Sequence, residues 1–165
     1  MWQCKIFHGQ WAYGVSAGGR GEPNRDKFWS NPQIAFYINQ KDLAKNNSCW
    51  VIIGLMQKYT RQKRVALQVE SAEEYIQYRI YKVKDNDAYF KSLARGDNLD
   101  SRYLERVASS GAYINKREVT ARFQLTQGAY VVIPSIYDEN TEGEFMVRIF
   151  TEMPLSQNDC KYVIN

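Results

Sequence analysis

The apolar residues of this chain recur at every second position along several short segments. Runs of this kind begin at Ile34, Ile76, Val119 and Phe145, with polar side chains at most of the positions between. A period of two is typical of a β-strand with one face on a core, whereas a helix shows a period of about 3.6 residues. We therefore predict an all-β fold of antiparallel strands.

Two segments, residues 50–56 and 129–133, are apolar without alternation. Strands that are covered on both faces have this composition, so we expect both to be central strands with two buried faces. Turn-forming residues such as Gly, Pro and Asn separate the segments. Many short strands with punctuating turns and no long amphipathic helix predict a sandwich or barrel, and the length fits a single domain over residues 1–165.

One connection stands out by its length. Residues 84–111 mix charged side chains with apolar ones, among them Tyr89, Leu93 and Leu104. A connection this long inside a compact domain is usually functional, mobile or partly helical.

The charge pattern indicates which partners to expect, and the cysteine pattern indicates the cellular setting. The net charge of +4 is mild, and most aromatic residues alternate on predicted strands, which argues against a nucleic-acid partner. Cys4, Cys49 and Cys160 are an odd number without close pairs, which favours a reduced, cytoplasmic setting over a disulfide framework. The most apolar run, residues 49–56, is too short to span a membrane.

Six blocks of sequence then occur in one order over residues 11–152. They are WAYGVSAGG at 11–19, FWSNPQ at 28–33, GLMQK at 54–58, YINKREV at 113–119 with RF-x-L to 125, GAY-x-VIPS at 128–135, and EGEF to RIFTE at 142–152. Together they resemble the C2-like third domain of calpain-type cysteine proteases. The resemblance implies an eight-stranded antiparallel β-sandwich whose role is regulatory, and whose main partner is the protease core of the same polypeptide.

The sequence shows no constellation of the kind that proteolysis needs. Papain-like chemistry needs a Cys nucleophile, a His base and an orienting amide. The single histidine, His8, lies in what reads as the first strand, and no cysteine has a protease-like local sequence. We therefore predict a non-catalytic regulatory or scaffolding module, with no catalytic residue. The alternative is a C2-type module that contacts anionic phospholipid peripherally, with weak or no calcium dependence.

Calcium is the cofactor that the resemblance raises. The family's proposed calcium switch is a dense acidic run, but the equivalent residues 39–48 hold one acid and two lysines. Calcium takes about six to eight oxygen ligands, so an acid-poor loop is a poor site. Other acids cluster around the last turn and in the long connection, where turn chemistry and solubility are the competing explanation. They are Asp138, Glu139, Glu142 and Glu144, a candidate metal site, and Asp85, Asp87, Asp97 and Asp100.

A basic cluster follows the apolar segment 50–56. It comprises Lys58, Arg61, Lys63 and Arg64, which we place in a hairpin loop. Three interpretations stay open: contact with anionic lipid head groups, pairing with acids on a neighbouring protease core, or an ordinary soluble turn.

Two tryptophans among Gly-rich turns are candidate structural anchors. Trp11 and Trp29 would hold the entrance segment onto the sandwich. We expect Trp29→Ala to cost about 3 to 5 kcal/mol, as large-to-small changes in a core do.

Overall fold

The computed structural model describes residues 2–39, 47–70, 72–152 and 161–163. The chain forms nine strands, which are β1 Gln3–Trp11, β2 Gln33–Ile38, β3 Ser48–Gln57, β4 Ile76–Val83, β5 Leu104–Ser109, β6 Glu118–Thr126, β7 Gly128–Ile136, β8 Gly143–Thr151 and β9 Lys161–Val163. It also forms a 3-10 helix, Arg25–Ser30, and two α-helices, α1 Thr60–Leu67 and α2 Asn86–Arg95.

The strands make two sheets with antiparallel pairing throughout. Sheet I has the order β1-β8-β3-β6, and sheet II has the order β5-β4-β7-β2-β9. The predicted all-β antiparallel sandwich is confirmed: β1–β8 are its eight main strands, and the short β9 adds to the edge of sheet II beside β2.

The main core lies between the two sheets and follows the alternation in the sequence. Ile34 and Phe36 of β2 face Val147 and Ile149 of β8 across it, all fully buried. Tyr78 is also fully buried there, and its hydroxyl donates a hydrogen bond of 2.6 Å to the Ile53 carbonyl. Because the phenol is buried, its pKa lies far above the usual range of tyrosine.

A second apolar cluster covers the outside of sheet II, and we call it the outer core. The outward residues Val131 and Ile133 of β7 are buried there beneath the 3-10 helix and α2. Phe28 comes from the 3-10 helix, and Tyr89 and Leu93 come from one face of α2, where side chains four residues apart lie together. Sheet II is therefore covered on both faces, as the uniformly apolar segment 129–133 predicts.

The prediction of two buried faces is wrong for the other uniform segment, residues 50–56. Inward residues such as Val51 and Ile53 of β3 are fully buried, but outward residues Trp50, Ile52 and Met56 are only half-buried. No described element lies over them. The strand is central in its sheet, but its outer face is open.

Residues 84–111 are not one connection. Asp85 begins α2 by accepting a hydrogen bond from the Asp87 backbone N–H, and Gly96 ends the helix in a left-handed conformation with φ of 74°. Leu104–Ser109 is then an edge strand of sheet II. The helical content fits the expectation, but the strand was missed because its three middle residues are exposed and two of them are charged.

Candidate interaction surface

Three residues of the predicted basic cluster, Arg61, Lys63 and Arg64, lie on α1, and Lys58 lies between β3 and that helix. The prediction of a hairpin loop is therefore wrong. The segment from Thr60 to Leu67 is rich in Arg, Gln, Lys, Ala and Leu, which favour helix, but eight residues are too few to show a helical period. Tyr59 precedes the helix in a left-handed conformation, and Gln68 follows it in another. The two turns of helix therefore project as a unit from the end of β3.

A buried amide fixes the base of this projection. The Gln57 side chain donates hydrogen bonds to the carbonyls of Glu74, at 2.7 Å, and Lys116, at 2.8 Å. Its carbonyl oxygen accepts from the Glu74 backbone N–H at 2.9 Å. Because Gln57 precedes α1 and Glu74 follows it, this side chain closes the loop that carries the helix.

The exterior of α1 has little cover. Thr60 is its one buried residue, while Val65 and Leu67 are 74% and 67% exposed. An isolated helix of this length is not stable in water, so its attachment to the sandwich, including the loop closure by Gln57, helps to stabilise it. A projecting, tethered helix of this kind is suited to contact another surface.

The four basic residues divide between two sides of α1. Lys58 and Lys63 line a groove of about 460 Å³ together with Tyr59, Glu142 and Glu144. Arg61 and Arg64 line a separate shallow hollow of about 300 Å³ whose other residues are Val65, Val69 and Glu70. The arginine side therefore combines two cations and one carboxylate with apolar surface, whereas two carboxylates share the lysine side.

The four acids of the predicted metal site do not converge. Asp138 forms an ion pair with Arg20 at 3.8 Å, and Glu139 forms one with Lys27 at 3.2 Å. Glu142 and Glu144 share the groove of α1 with two lysines, which would repel a divalent cation. Over the described residues, no group of three or more His, Cys, Asp or Glu is placed to hold a metal. Calcium binding there stays a prediction, and residues 40–46 of the acid-poor loop lie outside the described residues.

The acids of the long connection have local partners. Asp85 caps α2, and Asp87 lies in the first turn of that helix, where a negative charge is favourable. Asp100 accepts hydrogen bonds from the Arg102 guanidinium at 2.9 to 3.2 Å, and this pairing lowers the pKa of Asp100. Asp97 lines a cleft beside Arg95.

The sequence did not predict a network of buried hydrogen bonds made by the side-chain amides of Asn31 and Gln33. Asn31 accepts from the Gly18 N–H at 3.0 Å and donates to the carbonyls of Gly19 and Phe28. Gln33 binds both the N–H and the carbonyl of Leu99, at 2.9 and 2.7 Å. The motif FWSNPQ therefore joins the entrance loop, the 3-10 helix and the segment after α2. The polar residues that follow Phe28 and Trp29 in this motif were the signal that could have revealed it.

The two tryptophans occupy different cores. Trp11 ends β1 and is buried in the main core, where its indole N–H donates to the Pro134 carbonyl at 3.1 Å. Trp29 is half-buried against Phe28 and Tyr81 of the outer core. Because Trp29 keeps part of its exposure, the cost expected for Trp29→Ala falls to about 2 to 3 kcal/mol.

The thiols and the imidazole are placed apart. His8 and Cys4 both point outward from β1, four residues apart, which separates them by about 13 Å along a strand. Partial burial raises the pKa of the Cys4 thiol, the opposite of what a nucleophile needs. Cys49 is buried in the main core, and Cys160 lies outside the described residues. Among the described helices, none is long and apolar enough to cross a membrane.

Comparison of the sequence with a family model and with curated proteins points to one family. The family described as "Calpain large subunit, domain III" matches residues 7–150. Calpain-A of Drosophila melanogaster is 38% identical over 161 residues, which cover 96% of this chain and 19% of that protein. Calpain-B of the same organism is 39% identical over 92% of this chain and 16% of that protein. The calpain-2 catalytic subunit of Oryctolagus cuniculus is 34% identical over 92% of this chain and 35% of that matched sequence. The chain thus spans a fifth or less of the two Drosophila relatives.

Proposed function

The chain belongs to the family of calpain large-subunit third domains, and from this premise we propose that it is a non-catalytic regulatory and scaffolding domain of a calpain-type cysteine protease. It would position the protease core of its own polypeptide through contacts made by α1. The observation that carries the proposal is the position of Arg61 and Arg64 on a projecting helix that Gln57 ties to the sandwich at its base.

The positive charge of α1 favours an acidic surface as its partner. Arg61 is exposed, Arg64 is half-buried, and neither has a carboxylate within ion-pair distance in the described structure. Cations at the rim of an interface speed association and select an oppositely charged partner. Val65 and Val69 beside them supply apolar surface that water covers in the isolated chain. The cytoplasmic setting predicted from the cysteine pattern is part of this proposal.

The test is a titration of this chain with the separately purified protease part of its own polypeptide, at low and high salt. We expect the double variant Arg61→Glu/Arg64→Glu to weaken binding by about 10-fold or more, and the wild-type affinity to fall with salt. Arg95→Glu/Arg106→Glu reverses two charges on α2 and β5, away from α1, and should leave the affinity unchanged.

Two results would contradict the proposal. One is hydrolysis of a denatured protein substrate by the purified chain alone. The other is an affinity for the protease part that neither salt nor the double variant changes. If the double variant abolishes sedimentation with phosphatidylserine vesicles but leaves protease binding intact, the lipid-contact alternative replaces the proposal.

A further inference from the structure

The outer face of sheet I has an apolar centre that no described element covers. The outward residues of its two central strands, β3 and β8, are mostly apolar. An antiparallel sheet that faces water has polar side chains at such positions. The apolar outward residues of the two strands are Trp50, Ile52, Met56, Met146 and Phe150.

The register brings these residues into contact distance across the strands. Ile52 pairs with Phe150, and Met56 pairs with Met146. On the edge strand β1, Ile6 adds an aliphatic side chain that is 54% exposed. Directly opposed side chains lie about 5 Å apart, so the apolar residues form two groups: Trp50, Ile52 and Phe150 at one end, and Met56 and Met146 at the other. The pair of Gly54 and Arg148 lies between the two groups.

Polar residues surround this centre. The outward positions of the edge strands hold His8 and Gln10 on β1, and Glu118, Thr120, Arg122 and Gln124 on β6. A hydrophobic centre within a polar rim is the anatomy of a protein interface. The five apolar side chains are half-buried and Ile6 is exposed, so apolar surface remains partly accessible here, which is a feature of interaction surfaces.

One ion pair lies within the patch, over a glycine. Gly54 is the outward residue between Ile52 and Met56, and a Cβ there would come within 3.0 Å of the Glu118 carboxylate. Glu118 receives a charge-assisted hydrogen bond from Arg148, which stands opposite Gly54 on β8. The glycine therefore leaves room for this pair across the sheet, and the Arg148 guanidinium also lies 5.8 Å from the centre of the Phe150 ring.

A second arginine supplies a positive charge at the rim. The Arg122 guanidinium lies 4.0 Å from the centre of the Trp50 ring and is exposed. It has no carboxylate within ion-pair distance in the described structure. Stacking on Trp50 fixes the plane of the guanidinium while its N–H edge stays open to a carboxylate. The exposed Glu144 of β8 shares its groove with Lys58 and Lys63, whereas Arg122 has no such counterpart, so the charge of Arg122 favours a carboxylate on the partner.

We propose that the outer face of sheet I binds an amphipathic helix that carries apolar side chains on one face and carboxylates beside them. The two central strands are about 5 Å apart, and with their side chains they match a helix about 10 Å across. From Trp50 to Met56 the patch runs about 20 Å, which is the length of about 13 helical residues. The inference rests on this chain's own surface and does not depend on the proposed role of α1.

The test uses the whole chain with the methionine methyl groups labelled for NMR. Two of its four methionines, Met56 and Met146, lie side by side in the patch. The probe is a helical peptide of about 18 residues made of Leu, Ala and Glu, and the matched probe has Lys in place of every Glu. We expect the Glu peptide to shift both methyl signals saturably and to bind about 10-fold more tightly than the Lys peptide.

The variant Arg122→Glu sharpens the test, because Arg122 is exposed and its replacement leaves the cores intact. It should remove or invert the preference for the Glu peptide, whereas Arg106→Glu, exposed on β5 of sheet II, should preserve it. The proposal is overturned if neither peptide moves the Met56 and Met146 signals at millimolar concentration, or if Arg122→Glu leaves the preference unchanged. It is also overturned if the two signals depend on the concentration of the chain alone, which would indicate that a second copy covers the face.

Discussion

The outer faces of the two sheets differ, although both belong to central strands with uniformly apolar sequences. On sheet II, the chain itself covers β7 with the 3-10 helix and α2, and Ile133 is fully buried. On sheet I, no described element covers β3, and Ile52 is only half-buried. Uniform apolarity thus predicts that a face will be covered, but it does not tell whether the cover comes from the same domain.

The largest effect should come from a matched pair of isoleucines on the two outer faces. We expect Ile133→Ala to lower the free energy of unfolding by about 2 to 5 kcal/mol, because it opens a cavity in the outer core. Ile52→Ala should cost about 1 kcal/mol or less, because water already reaches that side chain. Urea unfolding of both variants measures the difference, and equal losses would mean that the two faces are equally covered.

The next effect concerns how the cover of sheet II is attached. Gln33→Ala should cost about 2 to 3 kcal/mol, because it leaves the buried N–H and carbonyl of Leu99 without their partner. Gln124→Ala, an exposed glutamine on sheet I, should stay within about 0.5 kcal/mol of the wild type. Thermal and urea unfolding report both values. A neutral Gln33→Ala would show that the amide network does not hold the outer core.

A smaller effect appears at alkaline pH. Tyr113 shares a hydrogen bond of 2.7 Å with the buried Ser135 hydroxyl on the outer side of sheet II, and burial raises the pKa of Tyr113. The folded state therefore favours the neutral phenol, and this contribution is complete below about pH 10 and is lost as the pH rises towards the folded pKa. Each such tyrosine lowers the free energy of unfolding by up to about 1.4 kcal/mol per pH unit in that window.

The buried Tyr78 has a raised pKa for the same reason and contributes with the same sign. Unfolding curves measured between about pH 9 and 11 should therefore be shallower in pH for Tyr113→Phe than for the wild type, but not flat. Identical pH dependence in the two proteins would contradict the burial of Tyr113.

The smallest effect belongs to the open face. Glu118→Gln removes one charge from the pair with Arg148, both of whose side chains are 33% exposed. Partly exposed ion pairs contribute about 0 to 1 kcal/mol, so we expect a loss below about 1 kcal/mol that shrinks with added salt. Urea unfolding at two salt concentrations checks this. A large, salt-independent loss would mean that the pair is desolvated and that the face of sheet I is more closed than the structure shows.

The sequence predicted most strands and the main core, but it did not predict one edge strand or helix α1. Alternation located the main core because inward positions such as Phe36 and Ile149 must be apolar whatever lies outside the sheet. The edge strand Leu104–Ser109 escaped because an edge strand tolerates charges that mask its period. Helix α1 escaped because its eight residues show composition but no periodicity.

The candidate sites were predictable in composition but not in grouping. The basic cluster is basic as predicted, yet a helix sends Arg61 and Arg64 to a different side from Lys58 and Lys63. The four acids of the last turn are close in sequence, but Asp138 and Glu139 pair with cations from the entrance segment. Such partners come from residues more than 100 positions away, which no local pattern reveals.

The most direct test of the difference between the two faces is solvent access to their side chains. A soluble paramagnetic compound should strongly broaden the Met56 and Met146 methyl signals on sheet I and leave the Ile133 methyl signals on sheet II almost unchanged. Equal protection of all three residues in the isolated chain would contradict the open face, and with it the conclusion that the outer side of β3 is free to receive a partner.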